Sequence, residues 1–384
     1  MRDNRSSYPV RDSDDCCKDF CGENNSERIL VCNAGSGSLE LQLWEGNNRL
    51  EHQSIEGEPE QLLNHFTSYL NDALPCSTLL YRVVHIGKKD SNPQKVDEDC
   101  LNEIRHWLPL APLHNKISLE LIEHGLHKWP DCNHFVFSDS ALFNTLPEYA
   151  RVYPLPDELS KRWPVMKYGF HGLAHQSQWE QLQKQKRFKR VITIHLGGGS
   201  SLAAWQDGCV IDTTMGYTPT DGLPMTTRSG AIDPNIVLHL LEHGNYTLES
   251  LSKMFNSEAG LAGLSGISGD YRTLKQSQNA DAVLARDVYS YALTKAIGSF
   301  MGVLGGVDAI AFGGGLGEHQ PEVRESGLSR FAGLGISVSK EKNKHAEGCC
   351  AIHDTGSQTE IWVTPSDECK VMLNQYKTYT KENG

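Results

Sequence analysis

Val191 to Trp205 reads V-I-T-I-H-L-G-G-G-S-S-L-A-A-W. A run rich in Val and Ile, broken by three glycines and resumed by an apolar segment, predicts two strands joined by a tight glycine turn. Gly197, Gly198 and Gly199 have no Cβ, so their N–H groups can approach an anion closely. The turn is therefore a candidate phosphate cradle, although a lone triglycine is more often a simple hairpin turn. Ile29 to Trp44, I-L-V-C-N-A-G-S-G-S-L-E-L-Q-L-W, repeats the same order of strand, Gly/Ser turn and strand. Laid side by side, Asn33 falls on His195, Gly35 on Gly197, Gly37 on Gly199 and Ser38 on Ser200. Such a repeat predicts two domains of similar topology, each offering a glycine hairpin to a shared cleft.

The chain has 384 residues, more than a single core usually supports, which agrees with two domains. Apolar residues at 39% and charged residues at 22% describe a globular protein, and a net charge of −12 argues against nonspecific binding to nucleic acid or an anionic membrane. Among the eleven cysteines, Cys16, Cys17 and Cys21 lack the paired Cys-x-x-Cys spacing of a zinc site, so reduced thiols in a cytoplasmic protein are the simpler reading. Residues 1–27 are polar, without the apolar core of a secretory signal, and read as a poorly ordered extension. No window of 18 apolar residues free of charge occurs, which excludes a helical membrane span from the expectation.

Working outward, Glu60 to Leu74 and Val96 to Leu108 read as helical, Leu79 to His85 as a strand ending in R-V-V-H, and His134 to Ser140 as a buried strand that delivers Asp139 near its carboxyl end. Strand ends are where open α/β sheets place ligand groups, although Asp139 also suits a helix N-cap. In Y-G-F-H-G, His171 is framed by Gly169 and Gly172, which implies a closely defined backbone position. Arg228 lies in a segment of Gly, Thr, Pro and Ser, where a loop is expected, and an arginine beside a phosphate cradle suggests an anion site. Tyr289, Leu293, Ile297, Met301 and Leu304 recur at helical spacing, predicting a long helix with one core face. After it, V-D-A-I-A-F runs into Gly313, Gly314, Gly315, Leu316 and Gly317, a second candidate cradle that lacks the lysine of a Walker A loop.

Taken together these motifs resemble the acetate kinase family of the sugar kinase, Hsp70 and actin-like superfamily. The resemblance rests on N-A-G-S-G-S at 33–38, R-V-V-H at 82–85, A-P-L-H-N at 111–115, Y-G-F-H-G at 168–172, D-T-T-M-G-Y-T-P at 212–219, T-R-S-G-A-I-D-P at 227–234 and G-G-V-D-A-I-A-F-G-G-G-L-G-E at 305–318. It covers roughly residues 28–375. The implied fold class is α/β, with duplicated ribonuclease H-like (actin/Hsp70/sugar kinase) domains and a cleft between them. Residues 28–150, completed by about 370–384, would form the first domain, and 151–369 the second, with the nucleotide site.

The resemblance implies reversible, direct in-line transfer of the ATP γ-phosphate to acetate or another short-chain carboxylate by a cytoplasmic homodimer, with Mg²⁺ (or Mn²⁺). It makes Asp139, His171, Arg228 and Arg82 the catalytic set, and Arg82, Val84, Leu113, Phe170 and Pro219 the substrate pocket. Ser36, Ser38, His195, Gly197, Gly198, Gly199, Gly313, Gly314, Gly315 and Gly317 fall on the nucleotide side, and Asn33 and Glu368 beside the metal. The chemistry fits these roles. A short carboxylic acid titrates at about 4, so the nucleophile is already an anion and needs no general base. The difficulty is bringing two anions together, which guanidinium forks answer.

The chain also departs from the family pattern. Glu40 stands where a lysine is usual, Ile86 replaces the first glycine of R-V-V-H-G-G, Gly198 replaces the asparagine of H-L-G-N-G, and the acidic motif near the C-terminus is here Ser366, Asp367, Glu368 and Cys369. These changes keep open a weakened member with a different phosphoryl donor or a nucleotide-binding regulatory role. A sugar or polyol kinase is the less favoured alternative, since a neutral substrate does not call for two arginines.

Overall fold

β1 (Arg28–Ala34) pairs antiparallel with β2 (Ser38–Glu45), which pairs antiparallel with β3 (Asn48–Glu56). On its other side β1 runs parallel to β4 (Thr78–Val83), and β4 runs parallel to β6 (Asn133–Ser138), with the two-residue β5 (Gln94–Lys95) at the edge. The second sheet repeats this plan. β7 (Arg190–Leu196) joins β8 (Ser200–Gln206) and β9 (Cys209–Thr213) on one side, and β10 (Ala309–Gly313), β12 (Glu360–Val363) and the short β11 (Cys350–Ala351) on the other. The orders β3-β2-β1-β4-β6-β5 and β9-β8-β7-β10-β12-β11 match strand for strand in direction as well as position. This computed structural model describes residues 27–35, 37–87, 91–110 and 112–383, with only the backbone of 112–114. The polar extension with Cys16, Cys17 and Cys21, as well as Ser36 and the Leu113 side chain, lie outside the described residues.

The internal repeat needs one correction. Ala34 faces Leu39 in the first hairpin, and Leu196 faces Ser200 in the second, so the first turn is one residue longer. Beyond the turns the match is therefore Leu39 to Ser200, not Ser38 to Ser200, and Gly37 no longer falls on Gly199. The shift brings Trp44 onto Trp205, and each lies at a register irregularity of its sheet, Leu43/Trp44 and Ala204/Trp205. Turn length differs because Gly35 N–H closes on Ser38 O, whereas Gly197 N–H closes on Gly199 O.

The parallel strands are apolar along their middles because both faces of each sheet are covered, with polar residues towards their ends. Leu30, Cys32, Leu79, Tyr81 and Val136 face the helices that include Pro59–Asp72 and Glu98–Trp107, while Ile29, Val31, Leu80 and Phe137 pack on Cys369, Met372 and Leu373 of the helix Glu368–Asn383. The last helix of the chain thus lies on the first sheet. In the second sheet, Ile192, Ile194, Ile310 and Phe312 meet Tyr289, Leu293 and Ile297 of the helix Ala280–Leu304, while Val191, Ala203 and Ala309 meet Leu182 of the helix Gly172–Gln185. That second helix also contributes Leu173 to the core under the first sheet, so it bridges the two halves where their strand ends converge.

Candidate active site

The parallel strands of the first sheet deliver Asn33, Arg82 and Asp139 at or just beyond their carboxyl ends, the position where α/β sheets bind ligands. Arg82 joins them. Its Nε and Nη2 donate to Asp139 Oδ2 at 3.2 and 2.7 Å, and its Nη1 donates to Asn33 Oδ1 at 3.1 Å and to Glu368 Oε2 at 3.0 Å. Asn33 Nδ2 completes the ring by donating to Glu368 Oε2 at 2.8 Å. Burial works against the Arg82 charge, but Asp139 and Glu368 more than reverse it, so the guanidinium is held above its ordinary pKa. Burial raises the Asp139 carboxyl, yet two N–H donors on one oxygen mark it as an ionised acceptor. Asp139 is not a helix cap: the short turn Ala141–Thr145 begins after Ser140.

His171 approaches from the second half. Gly169 (φ +74°) and His171 (φ +60°) both take the left-handed conformation, and a Cβ on Gly172 would lie 2.1 Å from the Asp139 carbonyl oxygen. The tight Y-G-F-H-G turn therefore seats His171 against the end of β6, and strain in a non-glycine residue is held by its surroundings. Gly172 N–H donates to that same Asp139 carbonyl at 3.0 Å. The His171 and His195 rings lie 4.7 Å apart. A Cβ on Gly199 would come within 2.9 Å of the His171 imidazole and 3.6 Å of Arg228 Nη1, so the second hairpin needs glycine there for close approach. Burial, His195 and Arg82 together hold His171 well below the ordinary histidine pKa, and burial lowers His195 as well. Both are neutral at pH 7.

Arg228, 8% exposed, extends from the loop opposite Arg82 and donates to the Pro219 carbonyl at 3.3 Å. Its backbone is pinned, since Leu261 N–H and Ala262 N–H donate to Met225 O and Thr226 O, and Gly260 leaves no room for a Cβ beside Met225 and Arg228. Gly35, Ser38, Arg82, His171, His195, Gly198, Gly199, Arg228 and Glu368 then line one cleft of about 390 Å3. Thr226, Thr227, Asn256 and Ser257 line it too, and sequence reasoning missed them. Asn256 and Ser257 lie on a π-helical turn, Met254–Glu258, that continues the short helix Leu248–Lys253, and such turns often occur at functional sites. The run G-L-A-G-L-S-G after it folds as the short helix Gly260–Ser265, closed by Gly266 in the left-handed conformation.

Of the residues expected around the acyl group, none of Val84, Phe170 and Pro219 lines the 390 Å3 cleft. Val84 and Phe170 share one buried cluster with Trp107, Tyr168, Met215 and Met225, and Pro219 is buried beside Arg228. The second glycine run behaves differently from the open cradle expected of it. Gly314 starts a short helix, Gly314–His319; Gly313, Gly314 and Gly317 are buried, Gly315 is exposed, and none of the four lines the 390 Å3 cleft. Glycine is required at 313 and 314 by contact, because a Cβ would meet Thr364 O at 2.5 Å and Leu196 O at 2.6 Å. Glu318 Oε1 accepts from Gly314 N–H and Ser366 N–H, which ties this helix to the segment that carries Glu368.

The departures from the family pattern have local explanations. Glu40 Oε1 accepts from Gln42 Nε2 at 2.8 Å and lies 3.0 Å from His52 Nε2, while its Oε2 accepts from Asn33 Nδ2 at 3.4 Å, so the reversed charge is shared between the sheet surface and the edge of the site. Cys369 is fully buried in the core under the first sheet, Asp367 caps the last helix by accepting from Lys370 N–H, and Ile86 is buried in the first core. Gly198 has nothing within 4 Å of its ideal Cβ position and is exposed.

Mg²⁺ keeps several waters and takes only one or two protein carboxylates besides substrate phosphates. The residues present fit it: Glu368 and Asn33 sit side by side, and Asp139 Oδ1 is buried without a hydrogen-bond partner. No cluster of three or more His, Cys, Asp or Glu suited to a tight metal cage occurs among the described residues.

His85 supplies a pH dependence. Its Nδ1 is 2.7 Å from Ser140 Oγ, its Nε2 is buried without a partner among aromatic rings, and burial lowers its pKa from 6.5 to about 4. The unfolded chain therefore binds one more proton in this window, and stability falls as pH drops from about 6.5 towards 4, by on the order of 3 kcal/mol from this group. Thermal unfolding followed from pH 7 to 4.5 should show a shallower loss in His85→Asn than in the wild type.

Two matched sheets facing a cleft at their strand ends, with two arginines and glycine hairpins converging there, define the duplicated fold of the actin, Hsp70 and sugar kinase superfamily. Within it, the chain belongs to the acetokinase family, whose sequence profile matches residues 49–374. It is 36% identical over 383 residues to an acetate kinase of Thermoanaerobacterium thermosaccharolyticum, covering 89% of this chain and 96% of the relative. Among solved structures it is similar to a propionate kinase from Francisella tularensis (TM-score 0.82, 29% identity, 91% of this chain and 98% of the other) and to Porphyromonas gingivalis acetate kinase (TM-score 0.80, 28% identity, 92% and 99%).

Proposed function

We propose that this chain is an acetate kinase that transfers the γ-phosphate of ATP reversibly to acetate or a close short-chain carboxylate. The observation that carries the reading is the convergence of Arg82, Arg228 and His171 on one cleft. One guanidinium orients the carboxylate while the other, with the neutral His171 imidazole, meets the charge of the transferring phosphoryl group. A carboxylate oxygen forms a bond to the γ-phosphorus as the bond to the ADP oxygen breaks, and no proton needs to move. Glu368 and Asn33, with Asp139 nearby, would hold Mg²⁺, which would supply neutralisation of phosphate charge. Asp139 orients Arg82 and acts as no base. On this reading Val84, Phe170 and Pro219 would surround the acyl methyl group, while Ser38, the hairpin glycines 197–199 and the start of the helix Gly314–His319 would form the nucleotide side.

The exposed Leu284 and Tyr291, two turns apart on one side of the helix Ala280–Leu304, supply an apolar patch suited to the second copy of a homodimer. A cytoplasmic setting fits the eight free cysteines among the described residues. No helix among the described residues is long and apolar enough to cross a membrane.

Acyl phosphate formation trapped with hydroxylamine, comparing ATP, GTP and pyrophosphate at equal Mg²⁺, tests the reading. Activity with ATP is expected, and activity with pyrophosphate alone would overturn the choice of donor. Gly198→Asn probes the same side. The open space at Gly198 admits the amide, and a new hydrogen bond to phosphate should lower the KM for ATP by about tenfold, or about 1.4 kcal/mol.

A further inference from the structure

Behind His171 lies a chain of buried polar side chains. Trp205 Nε1 is 2.8 Å from Thr193 Oγ1, which is 2.8 Å from His175 Nδ1. His175 Nε2 is 2.8 Å from Ser201 Oγ, which is 2.8 Å from His171 Nδ1. Thr193, His175 and Ser201 are fully buried, and Trp205 nearly so. Ser201 has one proton and two imidazole neighbours, so it donates to one and accepts from the other. Burial keeps both rings neutral, leaving each with a single N–H. Protons along the chain therefore run in one of two directions.

The indole sets the direction, because its N–H only donates. Having accepted from Trp205, Thr193 gives its own proton either to His175 Nδ1 at 2.8 Å or to the Ala203 carbonyl at 3.5 Å, and the shorter bond is the stronger. His175 then carries its proton on Nε2 and donates to Ser201, Ser201 donates to His171 Nδ1, and the His171 proton is left on Nε2. In the opposite direction the last proton would rest on the 3.5 Å contact, and His171 would turn a bare lone pair towards anionic oxygens.

We propose that Trp205, Thr193, His175 and Ser201 form a proton-ordering relay that holds His171 as its Nε2–H tautomer. Ser201 and His175 are thereby positioning residues for phosphoryl transfer, an inference that rests on His171 as the donor to the transferred group. Nitrogen NMR of histidine-labelled enzyme reads the tautomer directly, since the protonated and bare nitrogens of a neutral imidazole have widely separated shifts. Wild-type His171 is expected with its proton on Nε2, and a proton on Nδ1 overturns the relay. In Ser201→Ala the ring should lose this single pattern, with kcat falling about 10- to 100-fold, as for misplacements of about 1 Å, and KM for ATP and acetate little changed. A wild-type spectrum with wild-type kcat in that variant also overturns it. Normal turnover in His171→Ala would instead overturn the reading of His171 on which the relay rests.

Discussion

Arg228→Ala should lower kcat by at least about 10²- to 10³-fold while the protein stays folded. The guanidinium sits 8% exposed at the cleft, on a loop whose backbone is fixed by Ala259, Leu261 and Ala262 N–H groups donating to Thr227, Met225 and Thr226. Removing the side chain leaves those backbone bonds in place, so the scaffold survives. On the proposed mechanism, what disappears is the charge that meets the transferring phosphoryl group, an interaction made in the transition state more than in the ground state. The loss should therefore fall on kcat, with KM for acetate moving less. Lysine will not restore it, because a single ammonium lacks the planar fork that binds two oxygens at once. Circular dichroism and thermal unfolding beside the kinetics separate this outcome from simple unfolding, and near-normal turnover would remove Arg228 from the mechanism.

Arg82→Ala should cost both activity and stability. Asp139 is 1% exposed, and Arg82 is its ion-pair partner and that of Glu368. Without the guanidinium, two carboxylates face each other in a buried site. Breaking a buried pair of this kind costs about 3–5 kcal/mol, which for a chain of this size lowers Tm by about 4–6 °C. A second variant separates the two effects. Arg82→Met combined with Asp139→Asn removes the stranded charge and should recover much of the Tm without recovering turnover. If the double variant is as unstable as Arg82→Ala, the loss arises from packing and not from the uncompensated carboxylate.

Much of this site was legible because it sits where strands end. The run I-L-V-C-N predicts a strand and places Asn33 at its carboxyl end, and R-V-V-H and F-S-D do the same for Arg82 and Asp139. The glycines around His171 announced a constrained turn, which the left-handed φ of Gly169 and His171 explains. The third strands were harder. β3 is N-R-L-E-H-Q-S-I-E, an edge strand with one exposed side, whose apolar signal is too sparse to separate it from a loop. The one-residue difference between the hairpins is set by which N–H closes each turn, a choice that glycine-rich sequence leaves open.

Long-range partners were beyond reach for a different reason. Nothing local to Glu368 marks it as the partner of Asn33, 335 positions away, and nothing local to Ser201 places it between two histidines. Such pairings exist only once the helices Glu368–Asn383 and Gly172–Gln185 have docked on the sheets. The second glycine run has a packing role that its spacing does not show: Gly313 and Gly314 pack closely against Thr364 and Leu196 as the chain starts a short helix.

Phosphorus NMR of the product made from Mg·ATP and acetate labelled with ¹⁸O in its carboxylate tests the central claim most directly. Attack by a carboxylate oxygen on the γ-phosphorus puts the label in the bridge of an acyl phosphate, and the bridge isotope shifts the phosphorus resonance. The expected result is ADP together with an acyl phosphate carrying ¹⁸O between carbon and phosphorus. ATP binding without any acyl phosphate signal, or an acyl phosphate whose bridge is unlabelled, would contradict it.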